Sequence, residues 1–222
     1  MTPKIQISLD VTTIDAALTI ARAAVEAGFD WLEAGTPLIL GEGVRGVQAL
    51  RETFPDVPIV ADIKAMDGAG FEADMMFKAG ANMAVVMGQA HDASIIQAVE
   101  AAKRYGGEVM CDLMLCPDKA KRGREAQELG VDYIIVHTGY DERNMIPGLS
   151  PLDDLPAVLN AVTIPVQAVG GLTVEQAIQT LEMGAELVVF GAPLVIGGAN
   201  VDANDPSYAD LLRDIVQRVK SR

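Results

Sequence analysis

The chain has 222 residues, of which half are apolar, and its formal net charge is −14. This size and apolar content suit one large buried core, and α/β barrels of about this length form a single domain. The acidic balance argues against a nucleic-acid partner and against a polybasic membrane contact, because both need a basic surface.

The N-terminal segment and the cysteines indicate the cellular setting. Residues 1–20 lack the basic start and long apolar core of a signal peptide, and no apolar run is long enough to span a bilayer. Cys111 and Cys116 are the only cysteines, and no metal-ligand spacing accompanies them, so we expect buried or incidental thiols. These features predict a cytoplasmic protein without a membrane contact.

A repeated phrase divides the chain into similar units. Gly28, Gly80, Gly130 and Gly184 each end a helical pattern and precede an apolar residue, a polar residue and an apolar strand. Further apolar runs lie about midway between these joints, at 58–62, 108–112 and 165–170. The pattern predicts eight βα units and therefore a single-domain (β/α)8 TIM barrel over residues 1–222.

The predicted elements follow one another in regular alternation along the chain. The predicted strands cover 4–10, 30–34, 59–67, 83–87, 108–113, 132–137, 166–169 and 187–190. Of the eight predicted helices, the first begins after Thr13, the second ends near residue 53, and the third, fourth and fifth cover 71–78, 92–105 and 117–129. The sixth begins at Ser150 with Pro151 in its first turn, and the seventh begins at Thr173 with Gln176 in a capping box. The eighth begins at 205–206. Long loops are expected at 35–43, 139–148 and 191–204.

The third predicted strand carries the most distinctive chemistry. An apolar run leads into Asp62, Lys64 and Asp67, and Gly68 ends the strand. Residues two apart on a strand share a face, so Asp62 and Lys64 are expected side by side. A solvated charged turn is the alternative interpretation of this cluster.

Polar side chains gather at the C-terminal ends of the predicted strands, where the active sites of parallel βα barrels lie. Buried charges there must be paired or bound to metal. The residues concerned are Asp10, Glu33, Asp62, Lys64, Asp112 and His137.

Glu33 and Asp62 end adjacent strands at matching depth and would suit Mg²⁺ completed by water and a substrate oxygen. The alternative is that one of them pairs with Lys64. His137 is either a proton carrier or a hydrogen-bonded structural residue.

Glycines follow the last two predicted strands: Gly170 and Gly171 follow the seventh strand, and Gly191 follows the eighth. Both loops therefore lie at the usual phosphate position of such barrels and are rich in glycine.

Four segments together carry a resemblance to a known family. They are Glu33–Pro37, Ala61–Asp67 (ADIKAMD), His137–Asp141 and Val169–Gly171. With these segments the chain resembles the 3-hexulose-6-phosphate synthases of the orotidine 5′-phosphate decarboxylase suprafamily, over about its whole length. The resemblance implies an aldolase that condenses formaldehyde with ribulose 5-phosphate through an enediolate to give 3-hexulose 6-phosphate, or that catalyses the reverse cleavage.

The resemblance also implies roles for individual residues. Glu33 and Asp62 would ligate Mg²⁺, and Lys64 would stabilise the enediolate oxygens. Asp67 would reach the neighbouring subunit's site, which implies a homodimer. Asp10 would bind substrate hydroxyls.

Further roles follow for the other strand ends. His137 would move a proton at C1, and Asp112 would position water or the aldehyde. The phosphate of the ketose would be bound by the residues after the last two strands, Gly170, Gly171, Gly191 and Ala192.

Related branches differ at positions that can be read here. In 3-keto-L-gulonate-6-phosphate decarboxylases the fifth-strand acid is typically glutamate, an arginine follows the sixth-strand histidine, and the seventh strand carries threonine. The present chain has Asp112, residues 138–140 without arginine, and Ala168, which favours the synthase branch. Such a decarboxylase and a non-catalytic sugar-phosphate-binding barrel remain the alternatives.

One position departs from some relatives, which place an arginine after the eighth-strand glycine to hold phosphate. Here Ala192 and Pro193 follow Gly191, and proline lacks an N–H donor. Phosphate binding would then use the backbone alone, or the substrate would differ from the family norm.

Overall fold

The computed structural model describes residues 3–192, 194–196, 199–205 and 207–221. Eight parallel strands close into a barrel in sequence order, which confirms the predicted (β/α)8 fold. The barrel strands are β1 (Lys4–Leu9), β2 (Trp31–Ala34), β3 (Ile59–Ala65), β4 (Met83–Met87), β5 (Glu108–Asp112), β6 (Tyr133–His137), β7 (Val166–Val169) and β8 (Leu187–Ala192).

Helices surround the barrel. They are α1 (Ile14–Ala27), α2 (Thr36–Glu42), α3 (Val44–Thr53), α4 (Ala69–Ala79), α5 (Asp92–Tyr105), α6 (Lys119–Glu128), α7 (Tyr140–Met145), α8 (Leu155–Ala161), α9 (Val174–Met183) and α10 (Ser207–Lys220). Within the described residues, no helix has the length and apolar character needed to cross a membrane.

Two expected loops contain short helices, so those predictions were wrong. Residues 35–43 hold α2, which starts after Gly35 and has Pro37 in its first turn, a position where the missing N–H costs nothing. Residues 139–148 hold α7, which starts after Gly139. In both cases a glycine at the helix start made the segment read as a loop.

Two other boundaries also differ from the prediction. The helix expected at Ser150 begins at Leu155, because the Ser150 hydroxyl accepts from the Leu152 N–H (3.2 Å) in a preceding turn. The loop expected from residue 191 begins later, since β8 runs on to Ala192.

A two-stranded antiparallel hairpin of β9 (Val195–Ile196) and β10 (Ala199–Asn200) follows β8. Pro193 and Pro206, which figured in the predicted last loop and last helix, lie outside the described residues.

The predicted helix ends are largely confirmed. Gly28, Gly80 and Gly184 cap α1, α4 and α9 in the left-handed conformation, with φ of 103°, 107° and 114°. Only glycine adopts this conformation without steric cost, which explains why the same phrase recurs. Thr173 and Gln176 form the predicted capping box of α9.

The strands bury apolar side chains on both faces. One set packs beneath the helices, and Cys111 and Cys116 belong to it as buried free thiols. The other set fills the barrel interior, where Trp31 meets Tyr133 edge to face at 5.5 Å. Trp31 and Tyr133 begin their strands, so this apolar plug occupies the N-terminal end and leaves the C-terminal mouth for polar groups.

Candidate active site

Strand register brings the predicted acids together at the C-terminal mouth. Ser8 of β1 pairs with Glu33 of β2 on one side and with Gly191 of β8 on the other. Glu33 in turn pairs with Val60 of β3, two residues before Asp62. Glu33 and Asp62 therefore project from neighbouring strands, as their sequence positions predicted.

Asp62 and Lys64 contact each other through Oδ2 and Nζ, and Asp62 is buried. Strand alternation predicted that these two side chains would lie together, but β3 is irregular here, because its register with β4 shifts between Ala61 and Ala65. Lys64 has a φ of 46°, a left-handed conformation that is uncommon for a lysine. The bulge re-aims the lysine, and such local strain is typical of functional sites.

The two carboxylate oxygens of Asp62 have different surroundings. Oδ2 accepts from the Thr36 hydroxyl (3.0 Å) as well as contacting Lys64. The Thr36 hydroxyl also lies 2.8 Å from the Asp62 carbonyl oxygen, which fixes the start of α2 against β3. Oδ1 is buried and has no hydrogen-bond partner among the described residues. An unsatisfied carboxylate oxygen at this depth is costly unless a ligand compensates it.

Glu33 is buried and held by side chains of β1. Its Oε1 accepts from the Ser8 hydroxyl (2.9 Å), and its Oε2 accepts from the Gln6 amide. Burial, reinforced by the negative charges of Asp62 and Asp10, raises the pKa of Glu33 to about 8. Without a further cation Glu33 therefore keeps its proton at neutral pH, because the mouth has more carboxyl groups than its single lysine can neutralise.

The neighbouring carboxylates also raise the pKa of Lys64, which favours its charged form. Burial works to lower the pKa of Lys64, but the carboxylates of Asp62 and Asp112 outweigh burial and raise that pKa. Lys64 is therefore an ammonium group at neutral pH and supplies the positive charge of the mouth.

Asp112 and His137 form a second pair, on β5 and β6. Asp112 Oδ2 lies 2.7 Å from His137 Nδ1, and Asp112 Oδ1 accepts from the Met114 N–H at 2.8 Å. Asp112 is 2% exposed, so its orientation is fixed. A carboxylate on Nδ1 favours the tautomer that carries its proton there and leaves Nε2 unprotonated.

Asp10 follows β1 at the rim of the same mouth. Its carboxylate lies against Gly35 and Gly191, where a Cβ on Gly35 would collide with Oδ1 and one on Gly191 would lie 3.5 Å from Oδ2. Desolvation by the surrounding protein, reinforced by the negative charge of Asp62, raises the pKa of Asp10. Gly35 was not among the predicted site residues, although it lies in the Glu33–Pro37 segment.

The loop after β7 has the backbone expected of a glycine pair. Gly170 and Gly171 have φ of 125° and 71°, which disfavours any side chain. A Cβ on Gly171 would lie 2.6 Å from Nε of Arg143, a residue of α7 that was not among the predicted site residues. Gly170 packs against the backbone of Thr138, so the β6 and β7 loops meet here.

Two predicted residues lie outside this cluster. Ala192 is buried, and its carbonyl accepts from the Asp10 N–H (2.9 Å) within the strand pairing. Asp67 is exposed beyond the end of β3, and within the described ranges its carboxylate has neither a hydrogen bond nor an ion pair.

The mouth offers two adjacent carboxylates as oxygen ligands for a cation. Across the described part of the chain, no group of three or more His, Cys, Asp and Glu side chains forms a metal-binding cluster. Glu33 and Asp62 with water would match Mg²⁺, which keeps several waters and uses one or two carboxylates. The unpartnered Asp62 Oδ1 fits that role.

Comparison with known proteins relates the whole barrel to characterised relatives. The model of a family described as orotidine 5′-phosphate decarboxylase / HUMPS matches residues 3–208. The 3-hexulose-6-phosphate synthase of Mycobacterium gastri is 37% identical over 206 residues, which are 93% of this chain and 95% of that protein. The 3-hexulose-6-phosphate synthase of Bacillus subtilis (strain 168) is 32% identical over 214 residues, or 96% of this chain and 98% of that protein.

Solved structures agree with this relationship. A crystal structure of a 3-hexulose-6-phosphate synthase superposes with a TM-score of 0.83 at 35% identity, covering 96% of this chain and 99% of that chain. The 3-keto-L-gulonate-6-phosphate decarboxylase of Vibrio cholerae O1 biovar El Tor superposes with a TM-score of 0.77 at 25% identity, covering 99% of both chains. The family match spans most of the barrel, and the chain belongs to the orotidine 5′-phosphate decarboxylase / HUMPS family.

Proposed function

We propose that this protein is a Mg²⁺-dependent aldolase that condenses formaldehyde with ribulose 5-phosphate to give 3-hexulose 6-phosphate, or cleaves that product in reverse. One observation carries the proposal. The Asp62–Lys64 pair and the Asp112–His137 pair face the same barrel mouth, in a chain 37% identical to a named 3-hexulose-6-phosphate synthase.

Mg²⁺ fits the acidic side of this mouth. Besides burial, the charge of Asp62 raises the pKa of both Asp10 and Glu33, because the three carboxylates lie close together beside a single lysine, Lys64. Glu33 and Asp62 would hold the ion. When bound there, Mg²⁺ would act as a Lewis acid that stabilises negative charge on the ketose oxygens.

The protein's own groups account for the proton transfers. His137 Nε2 would remove a proton from C1 of ribulose 5-phosphate, leaving the electron pair in a C1–C2 enediolate. The Lys64 ammonium would stabilise the oxygen at C2 that gains negative charge. C1 would then attack the formaldehyde carbon, and the new alkoxide would recover the proton from His137. Asp112 would keep the imidazole oriented and stabilise its charged form throughout.

The phosphate group of the substrate would lie at the ends of β7 and β8. Backbone N–H groups of Gly170 and Gly171 after β7, and of Gly191 near the C-terminal end of β8, would approach the phosphate where side chains are absent. The N-terminus of α9 follows this glycine pair directly, and its positive dipole end favours an anion. Asp10, at the rim between these groups and the acidic cluster, would bind hydroxyl groups of the sugar.

The surface beyond β3 suits a second copy of the chain. Met66, Phe71 and Met75 are 49%, 73% and 39% exposed beside Asp67, an unusual amount of apolar surface for an unpartnered face. We propose that this face forms a homodimer in which Asp67 enters the neighbouring subunit's site.

A direct assay tests the proposed function. Purified protein with ribulose 5-phosphate, formaldehyde and Mg²⁺ should consume both substrates in equal amounts and yield a hexulose phosphate. Loss of carbon dioxide from 3-keto-L-gulonate 6-phosphate, with no formaldehyde consumed, would assign the decarboxylase activity instead. Binding of ribulose 5-phosphate without turnover at any Mg²⁺ concentration would indicate a non-catalytic sugar-phosphate-binding barrel.

A further inference from the structure

Arg143 lies directly over the glycine pair that follows β7. A Cβ built on Gly171 would be 2.6 Å from Nε, 2.7 Å from Cδ and 3.3 Å from Cζ of the arginine. These distances place the guanidinium against the α-carbon of Gly171. The absence of a side chain at Gly171 thus makes room for an arginine as well as for a ligand.

The guanidinium of Arg143 also stacks on an aromatic ring of its own helix. Arg143 belongs to α7, and its Cζ lies 4.8 Å from the centre of the Tyr140 ring. Stacking on an aromatic face orients a guanidinium without using its N–H donors. The planar fork is therefore held in place while its hydrogen-bonding capacity remains available.

Arg143 has no acidic partner in the described ranges of the chain. Arg122, by contrast, is ion-paired with both Asp92 (2.8 Å) and Glu125 (3.2 Å). Arg51 is also half-buried and lacks a carboxylate, but it donates to four backbone carbonyl oxygens and to Asn82. Among the described residues no such acceptor contacts the guanidinium of Arg143, in a chain with 31 acidic and 17 basic side chains. Such a group at a ligand-binding rim suits an anion supplied from outside the chain.

The other candidate position for a phosphate-binding cation is closed. Ala192 follows Gly191 at the end of β8, and its side chain is 1% exposed within the core beneath the helices. The eighth-strand loop therefore offers no cationic side chain at this point, whereas the sixth-strand loop brings one to the glycine pair.

From this geometry we propose that Arg143 binds the phosphate group of the substrate, as a cation delivered from the β6–β7 side of the barrel instead of from β8. The proposal rests on the proposed function for the identity of the phosphorylated ketose, although the chemistry it requires is only a phosphate monoester. Arg143 would form charge-assisted hydrogen bonds to phosphate oxygens together with the N–H groups of the glycine pair.

Kinetics of three variants test this role. Arg143→Ala should raise KM for ribulose 5-phosphate by about 10- to 100-fold with kcat changed little, because a phosphate contact is made equally in ground and transition states. Arg143→Lys should recover part of the loss. Arg124→Ala, which removes an exposed arginine from the outer face of α6, is the matched control and should leave KM unchanged.

A fourth variant, at Gly171, tests the geometry without removing the charge. Gly171→Ala places a methyl group only 2.6 Å from Arg143 Nε and should also raise KM, since the arginine must move away. Melting temperature and circular dichroism of each variant distinguish this local effect from loss of the fold.

Binding measurements separate this inference from the proposed function. Calorimetric titration with inorganic phosphate should show binding to the parent protein that Arg143→Ala weakens by a similar factor. Aldolase turnover that is unaffected by Arg143→Ala, with unchanged phosphate affinity, would overturn the role of Arg143 and leave the proposed function intact. Arg143-dependent phosphate binding in a protein that consumes no formaldehyde would support Arg143 and overturn the proposed function.

Discussion

Asp62 contacts Lys64 through one carboxylate oxygen, while its other oxygen is buried without a hydrogen-bond partner in the described structure. The lysine therefore compensates only part of the negative charge at this mouth. The same carboxylate is available both to orient an ammonium group and to help hold a cation.

Lys64→Ala should reduce turnover by about 100-fold or more, because the ammonium that faces the developing oxyanion is lost. The fold should persist, since the lysine side chain is 28% exposed at the rim and contributes little to the core. Aldehyde-consumption kinetics and a thermal melt measure the two effects. Lys78→Ala, which removes a 64% exposed lysine from α4, is the control and should retain full activity. Global unfolding of Lys64→Ala would contradict the placement of Lys64 at the rim.

Stability without metal should depend on pH through Glu33. The pKa of Glu33 is raised from 4.5 to about 8 by burial and by neighbouring carboxylates. The folded protein then holds a proton that the unfolded chain has released, so this stabilising contribution is complete below pH 4.5 and is lost as the pH rises to about 8. Denaturant melts in EDTA at several pH values should show stability falling across this window.

Two variants and added Mg²⁺ test whether Glu33 causes the fall in stability with rising pH. Glu33→Gln should flatten it, whereas Glu26→Gln, at an exposed position of α1, should not. Mg²⁺ should stabilise the parent protein more at higher pH, because a ligand carboxylate must be deprotonated to bind. Equal stabilisation of Glu33→Gln and the parent by Mg²⁺ would argue against Glu33 as a ligand.

Asp112→Asn should lower kcat by about 100-fold or more, because an amide no longer selects the required tautomer of His137 or stabilises its charged form. KM for ribulose 5-phosphate should change little, since binding of the ketose is assigned to other groups. Steady-state kinetics provide both values. Asp154→Asn removes a 47% exposed carboxylate that pairs with Lys119, and should leave kcat unchanged. A KM effect alone in Asp112→Asn would instead indicate a substrate contact.

Gly35→Ala should impair both folding and activity. The added Cβ would collide with Asp10 Oδ1 and would lie 2.9 Å from the Leu9 carbonyl oxygen. Such overpacking typically costs about 1–3 kcal/mol, and a displaced Asp10 should weaken sugar binding. Gly123→Ala in α6 is the control, because the atoms nearest to its Cβ, from Leu113 and Val162, would be at 3.4 Å and alanine favours a helix. Denaturant titration and KM for ribulose 5-phosphate report the two effects.

Subunit mixing tests the role of Asp67. If Asp67 completes the neighbour's site, Asp67→Ala and Lys64→Ala should each be inactive alone. Mixed dimers would contain one site with both native residues, so an equimolar mixture should regain about a quarter of parental activity after subunit exchange. Size-exclusion chromatography should show dimers throughout. Dimers that exchange subunits but recover no activity would place Asp67 outside the partner's site.

The barrel could be predicted from sequence because its signals are local. Glycine caps such as Gly28 and Gly80 mark the helix ends, and the apolar runs between them mark strands buried on both faces. The short helices α2 and α7 were missed because glycine at their start made them read as loops. The strand ends also predicted which acids converge, since parallel strands share one mouth.

Other features of the site arise only from tertiary contacts. The left-handed Lys64 reflects a bulge that simple alternation cannot reveal. The groups that hold the acids, Gln6, Ser8 and Thr36, are ordinary polar residues whose partners are distant in sequence. Arg143 reaches Gly171 only because the loops after β6 and β7 meet in space.

In the proposed reaction, the barrel mouth removes a proton from C1 of ribulose 5-phosphate before any bond to formaldehyde forms. Proton NMR in D₂O, with Mg²⁺ and without formaldehyde, measures this step directly. We expect one C1 proton to exchange for deuterium in the parent protein, and neither His137→Asn nor an EDTA-treated sample should catalyse the exchange. Retention of both C1 protons in the presence of active, Mg²⁺-loaded parent protein would contradict the account.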